Sequence, residues 1–310
     1  MKVLVSGGAG FIGSHIVDSL ITDGHTVHII DDLSGGFIRN LNPKATFHKE
    51  DIRSEEISEI WKEHRFEVLI HCGAQMDVRR SVADPSFDAD VNVIGFLNLM
   101  EAGRHYGLKK VVFSSTGGAI YGEPEYVPQD EKHPTRPMSP YGITKLTAEH
   151  YLAFYKDTHG IDSVILRYAN VYGPRQNAHG EAGVVAIFTE RMLANTPCFI
   201  NGDGGQTRDY VYVGDVVQAN MKALDYKGSN IFNVGTGIET SVLDLFLKIK
   251  KVMGSDMSQK HADAKPGEQQ RSVVGTEKIE NELGWERQFD LDTGLTKTVN
   301  WFKDQEIQER

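Results

Sequence analysis

The 310-residue sequence predicts an α/β fold: a doubly wound parallel sheet followed by a smaller C-terminal α/β domain. Three observations carry this. An apolar run at Val3, Leu4 and Val5 passes through a cluster of glycines into helical spacing at Phe11, Ile12, Ile16, Val17 and Leu20. Strand and helix patterns then alternate through the first half, as they do in parallel sheets covered by helices on both faces. Finally, apolar strands end in small residues, His71-Cys72-Gly73 and Ser114-Ser115-Thr116-Gly117-Gly118, at the edge where ligands of open α/β sheets bind.

The first turn is the most informative. Gly8, Gly10 and Gly13 fit G-x-G-x-x-G, while Gly7, Gly10 and Gly13 fit G-x-x-G-x-x-G. In either register glycine permits positive φ, a close backbone approach to a pyrophosphate, and tight helix–strand packing. The phosphates would meet the unpaired N–H groups of the helix start, at Gly10, Phe11, Ile12 and Gly13. A plain β–α turn is the ordinary alternative. Against it stands a second apolar strand, Thr26 to Ile30, which ends in Asp31-Asp32, near the spacing of a carboxylate that holds an adenosine ribose. The pattern predicts a Rossmann-type domain. The acidic pair would repel a 2′-phosphate, so NAD is expected rather than NADP.

Further along, Ala45 to His48 reads as a short strand and Ser54 to His64 as a helix capped by Ser54. Val68 to Cys72 is a buried strand, and a long helix is expected from about Pro85 to Tyr106. Lys110 to Phe113 is the next strand. A proline-rich connection leads to Ser139-Pro140-Tyr141, a cap followed by proline at the first helical position, and that helix should reach about His159. Ser163 to Arg167 is a strand, and Asn170 to Arg175 leaves it as a loop. The alternation then weakens. Helices are expected within 180–193, 215–224, 242–253, 276–283 and 291–302, with strands near 199–200, 210–213 and 231–234. These patterns divide the chain into a nucleotide domain, residues 1–168, and a substrate domain, residues 169–310. Segments near 210–234 are candidates to return to the first.

A net charge of −10 argues against a nucleic-acid or anionic-membrane surface. Two cysteines, Cys72 and Cys198, make neither a disulfide framework nor a metal-ligand cluster, and no metal is expected. The first strand begins at the second residue, so no signal peptide is expected. No apolar run approaches the ~20 residues of a membrane span. A cytoplasmic protein is expected.

Tyr141 and Lys145 lie four apart and share a helix face. Tyrosine, with an ordinary pKa of ~10, is a poor base at neutral pH. A nearby ammonium, joined by the positive nicotinamide, would favour the tyrosinate and equip it to take a proton from a substrate hydroxyl. Ser114 and Thr116, at a strand's carboxyl end, could orient that hydroxyl, although small polar residues also suit a simple turn.

Taken together, these stretches resemble the extended short-chain dehydrogenase/reductase family, and most closely its UDP-glucose 4-epimerase branch. The resemblance covers nearly the whole chain. It lies in Gly7 to Gly13, His71 to Gln75, Ser114 to Gly122, Ser139 to Lys145, Arg167 to Gln176, Gln206 to Val213 and Lys265 to Glu268. It implies that Tyr141, Lys145 and Thr116 are catalytic, that Asp31 holds the ribose, and that Asp51-Ile52 lies beside the adenine. It also implies that Asn170, Arg208, Lys265 and Glu268 bind a UDP-sugar, that Ser272 stands where family members gate N-acetyl groups, and that the enzyme is a homodimer. The expected reaction removes and returns a hydride at a hexose C4 through a 4-keto sugar.

Three departures accompany it: Lys265 replaces a more usual arginine, Cys72-Gly73 an apolar–Ala pair, and residues 183–188 lack asparagines found in some relatives. Related dehydratases and decarboxylases place Asp-Glu or Ser-Glu after the catalytic threonine, whereas here Thr116 is followed by Gly117-Gly118. A uronic acid epimerase and a silent NAD-binding regulator remain as alternatives. The regulator is disfavoured because tyrosine and lysine are both kept.

Overall fold

The computed structural model describes residues 1–178, 183–264 and 269–309. Lys265 and Glu268, expected in the UDP clamp, lie outside the described residues.

The chain begins β1 (Lys2–Ser6), α1 (Phe11–Thr22), β2 (Thr26–Ile30), β3 (Thr46–His48), α2 (Glu56–His64), β4 (Val68–His71). Then come α3 (Val78–Ala83), α4 (Pro85–Ala89), α5 (Phe96–Tyr106), β5 (Lys110–Thr116), α6 (Gly117–Ile120), α7 (Pro140–His159) and β6 (Asp162–Tyr168). The second half runs β7 (Asn170–Tyr172), α8 (Val184–Leu193), β8 (Phe199–Asn201), β9 (Thr207–Tyr212), α9 (Val213–Asp225), β10 (Asn230–Val234), β11 (Glu239–Ser241) and α10 (Val242–Met253). It closes with β12 (Lys260–Ala262), β13 (Arg271–Ser272), α11 (Glu277–Leu283) and α12 (Leu291–Glu309).

Seven strands form one sheet in the order β10-β6-β5-β4-β1-β2-β3, every pair parallel. The order reverses between β1 and β4, and the Gly7 turn leaves the sheet there. That is the switch point where open α/β sheets bind ligands. One face is closed by α1 and α9, with Ile16, Val17 and Leu20 against Val216, Ala219 and Ala223. The other is closed by α2, α5 and α7, through Ile57, Trp61, Phe96, Leu99, Ala148 and Leu152. Both α9 and β10 thus build on the main sheet although they follow β7 to β9 in sequence.

A four-stranded sheet is centred on β9, which pairs with β7, β11 and β13. Beneath it Phe188, Ile200, Leu245, Phe246, Leu295 and Val299 form a separate core.

Three local expectations change. Residues 170–172 are a strand, not a loop, because Asn170, Val171 and Tyr172 find a partner in β9 far along the chain. The Ser54 hydroxyl accepts the Glu56 N–H at 3.2 Å, but the N-cap position of α2 falls one residue later, at Glu55, which makes no side-chain cap bond. The long helix expected over 85–106 is interrupted by a π turn at Asp90–Gly95, which leads Asn92 inward to donate to the Gln75 carbonyl at 2.9 Å.

Candidate active site

The glycine turn is held by contact. Gly7 has φ +70°, and a side chain there would meet the Gly73 nitrogen at 2.6 Å, since β1 and β4 are adjacent. A methyl on Gly13 would stand 2.2 Å from the Gly7 carbonyl oxygen. A methyl on Gly8 would meet the Ile29 side chain at 2.8 Å, whereas Gly7 and Gly13 are blocked by backbone. Helix α1 begins without a side-chain cap and without an acidic residue in its first turn, so its amides and positive dipole end face the cleft.

Asp31 is buried at the end of β2. Its carboxylate accepts the Ala9 N–H at 3.0 Å and the Leu33 N–H at 2.9 Å, and burial raises its pKa despite these bonds. Asp32 is exposed and accepts both the N–H and the hydroxyl of Ser34, so it also shapes its own loop. Arg53 grips Asp51 with Nε at 2.9 Å and Nη2 at 2.5 Å, which lowers the Asp51 pKa, while Ile52 is buried beside it.

Tyr141 lies in the first turn of α7, where Ser139 Oγ accepts the Gly142 N–H and Pro140 sets the first helical position. One turn on, the Lys145 ammonium donates to the Ser114 carbonyl at 2.9 Å and sits 4.9 Å from the centre of the Phe113 ring. Burial lowers its pKa to about 8. Burial, and then the Asp88 carboxylate, push the Tyr141 hydroxyl above its ordinary value. The expected tyrosinate rests on the positive nicotinamide together with this lysine.

Ser114 Oγ lies 3.2 Å from both Cys72 Sγ and the Tyr168 hydroxyl, which in turn accepts from Asn220 at 2.8 Å. Burial drives the Cys72 thiol to about 11, so it sits in the cleft wall as a neutral group. Thr116 ends β5. A methyl on Gly118 would lie 3.9 Å from Thr116 Oγ1 and 3.8 Å from Asn170 Oδ1, which places these two polar atoms around one small gap.

A cleft of about 520 Å³ joins Gly7, Gly10, Phe11, Ile12, Gly13, Asp31, Asp32, Asp51, Ile52, Ser114, Tyr141 and Lys145. Asn170, Arg208 and Ser272 stand on the four-stranded sheet, where Ser272 is paired opposite Arg208 and buried. Sequence reasoning missed Asp88, which faces Tyr141. It accepts from Thr144, Gln75 and Asn92 at 2.8, 2.8 and 3.1 Å, and no motif marks it. It also missed Arg175 in the cleft wall, a left-handed residue tied by Nη2 to Asp18 at 2.8 Å. A glycine cradle that a methyl would fill, a bare helix start and a carboxylate at the end of β2, all in one cleft, fit a dinucleotide.

Residues 3–235 match the NAD dependent epimerase/dehydratase family. The chain belongs to this family. It is 44% identical to the UDP-glucose 4-epimerase of Mycolicibacterium smegmatis over 98% of this chain and 99% of that one. The UDP-glucose 4-epimerase of Thermotoga maritima, solved with UDP-glucose, superposes with a TM-score of 0.97 at 47% identity, covering 98% of this chain and 99% of that one. That of Thermus thermophilus, solved with NAD, gives 0.93 at 44%, with the same coverage. Within the epimerase/dehydratase family this chain is therefore similar to 4-epimerases over its full length. Among the described residues no helix is long and apolar enough to cross a membrane.

Proposed function

We propose that this protein interconverts the C4 epimers of a UDP-hexose, UDP-glucose and UDP-galactose, with NAD held in the cleft. The observation that carries the reading is the convergence of Tyr141, Lys145 and Ser114 on the glycine cradle, with Gly117-Gly118 after Thr116. NAD bound there would accept a hydride from the sugar C4 and return it.

The chain's own groups supply the rest. The amides of Phe11, Ile12 and Gly13 bind phosphate, Asp31 accepts from a ribose hydroxyl, and Asp51 and Ile52 border the adenine. Tyr141 takes the proton of the 4-hydroxyl and gives it back, while Lys145 holds positive charge beside it. Thr116 orients the same hydroxyl. Arg208 and Asn170, with Lys265 and Glu268, grip the UDP, which anchors the 4-keto sugar while it turns over. The residue at 272, paired opposite Arg208, is a small serine, and this supports acceptance of the N-acetylated pair as well. The two-part organisation fits this division of labour: residues 1–168, joined by α9 and β10, hold NAD, and the remainder holds the UDP-sugar. A cytoplasmic homodimer is the assembly we infer.

Incubation with UDP-galactose tests the reading. UDP-glucose should appear without net formation of NADH, and denaturing the protein should release NAD. No conversion of any UDP-hexose refutes it.

A further inference from the structure

Three histidines distant in sequence meet at the outer edge of the main sheet, and none of their side chains is used above. His28 lies within β2, His48 closes β3 and His64 closes α2. Since Thr46 is opposite His28 and Ile30 opposite His48, the two strand histidines are diagonal neighbours on one face. Their Nδ1 and Nε2 atoms are 3.0 Å apart. The three ring centres are separated by 4.4, 5.2 and 5.3 Å, and one nitrogen from each ring lies within 4.8 Å of the other two. Phe66 forms the apolar floor, 5.0 Å from His28 and 5.8 Å from His64. His28 is buried, whereas His48 and His64 are half-buried, which gives an ion a path from solvent.

Three imidazoles at this separation match the donor set of a borderline divalent cation. Zinc–nitrogen bonds of about 2.0–2.1 Å in a tetrahedron require nitrogens about 3.3 Å apart. The His28–His48 nitrogen pair stands at 3.0 Å, close to that value, and the three donor atoms lie within 4.8 Å of one another. The charges around the cluster are Lys2, Glu50 and Glu63, which favour a cation by one unit. Glu63 Oε1 is 3.9 Å from His64 Nε2 and could join water in completing the coordination. Simple packing with one imidazole–imidazole hydrogen bond would use His28 and His48 and leave the convergence of His64 without a purpose.

We propose that His28, His48 and His64 form a three-imidazole site for a divalent transition-metal cation, with zinc as the reference ion. The ion would clip the three-residue edge strand β3 and the end of α2 to β2. Its role is structural. The clipped strands lead directly into Asp31 and Asp51, so the ion would steady the end of the sheet that presents these carboxylates.

The test is titration of tag-free, full-length protein, freed of metal by a chelator, with Zn²⁺ and Co²⁺. One equivalent should bind per chain, Co²⁺ should develop visible absorption bands of imidazole ligation, and Zn²⁺ should raise the melting temperature. His48→Gln and His64→Gln, both at half-buried positions, should each lower affinity by at least about 100-fold, beyond the usual cost of outer-shell changes. Their circular dichroism should be unchanged. Absence of stoichiometric binding, or wild-type affinity in both variants, overturns the proposal and leaves a packed imidazole cluster.

Discussion

Replacing Gly13 by alanine adds one methyl group, and its consequences can be worked from the turn geometry. The new carbon would stand 2.2 Å from the Gly7 carbonyl oxygen, 2.9 Å from its carbon and 3.1 Å from the Gly8 Cα, where ordinary contact begins at 3.4 Å. All three neighbours are backbone, so no rotamer change relieves the clash. The start of α1 must retreat by about 1.2 Å. Overpacking of this kind costs about 1–3 kcal/mol of stability. The retreat also pulls the Phe11 to Gly13 amides away from the phosphates. Loss of one charge-assisted hydrogen bond, about 1.5–3 kcal/mol, corresponds to roughly 10–150-fold in affinity. Two measurements check this: the NAD content of purified protein after denaturation, and calorimetric affinity for NAD. Gly10→Ala, whose methyl would meet only the Gly7 oxygen at 3.1 Å, should cost less. Gly24→Ala, at φ +78° with open space around it, should strain the backbone yet leave NAD content unchanged. If Gly13→Ala retains wild-type NAD and stability, the cradle does not work as described.

Tyr141→Phe should lower kcat by about 10²–10⁴-fold while NAD content stays at the wild-type level, as read by epimer formation and nucleotide release. Lys145→Met should reduce turnover yet raise stability at pH 7 by an amount on the order of 3 kcal/mol, because a buried ammonium with pKa near 8 is removed. Between about pH 8 and 10.5 the unfolded chain still binds the proton that the folded chain has lost. Wild-type stability should therefore gain from this group as pH rises through that window, and denaturant melts of the variant should lack the gain. Arg167→Met should destabilise by about 3–5 kcal/mol, since Glu149, buried and bonded to Arg167 at 2.6 and 3.0 Å, would be left with the Ser115 hydroxyl in place of a charged partner. Ser272→Tyr should slow the N-acetylated sugar more than UDP-glucose, and equal loss on both would rule out a gate.

The first half of the fold was legible because its signals are local. Apolar runs, the glycine turn and the Ser139-Pro140 cap each dictate their own structure within a few residues, and the strands they predict are the strands found. The later half was less so. Residues 170–172 become a strand only because β9 supplies hydrogen bonds from forty residues away, and α9 and β10 return to the first sheet through packing that no window of sequence contains.

The candidate site divides in the same way. By itself, the sequence determined the doubly wound class, the glycine turn between β1 and α1, the acidic pair at the end of β2, and the placing of Tyr141 and Lys145 one turn apart on α7, which the pitch of one helix enforces. Tertiary structure decided what surrounds them. Asp88 faces the tyrosine, Cys72 and Tyr168 flank Ser114, Arg208 and Ser272 meet across a sheet, and three histidines gather at an edge. Local patterns set backbone conformation through short-range sterics and hydrogen bonds. Charge, burial and pKa depend on which distant side chains the completed core brings together.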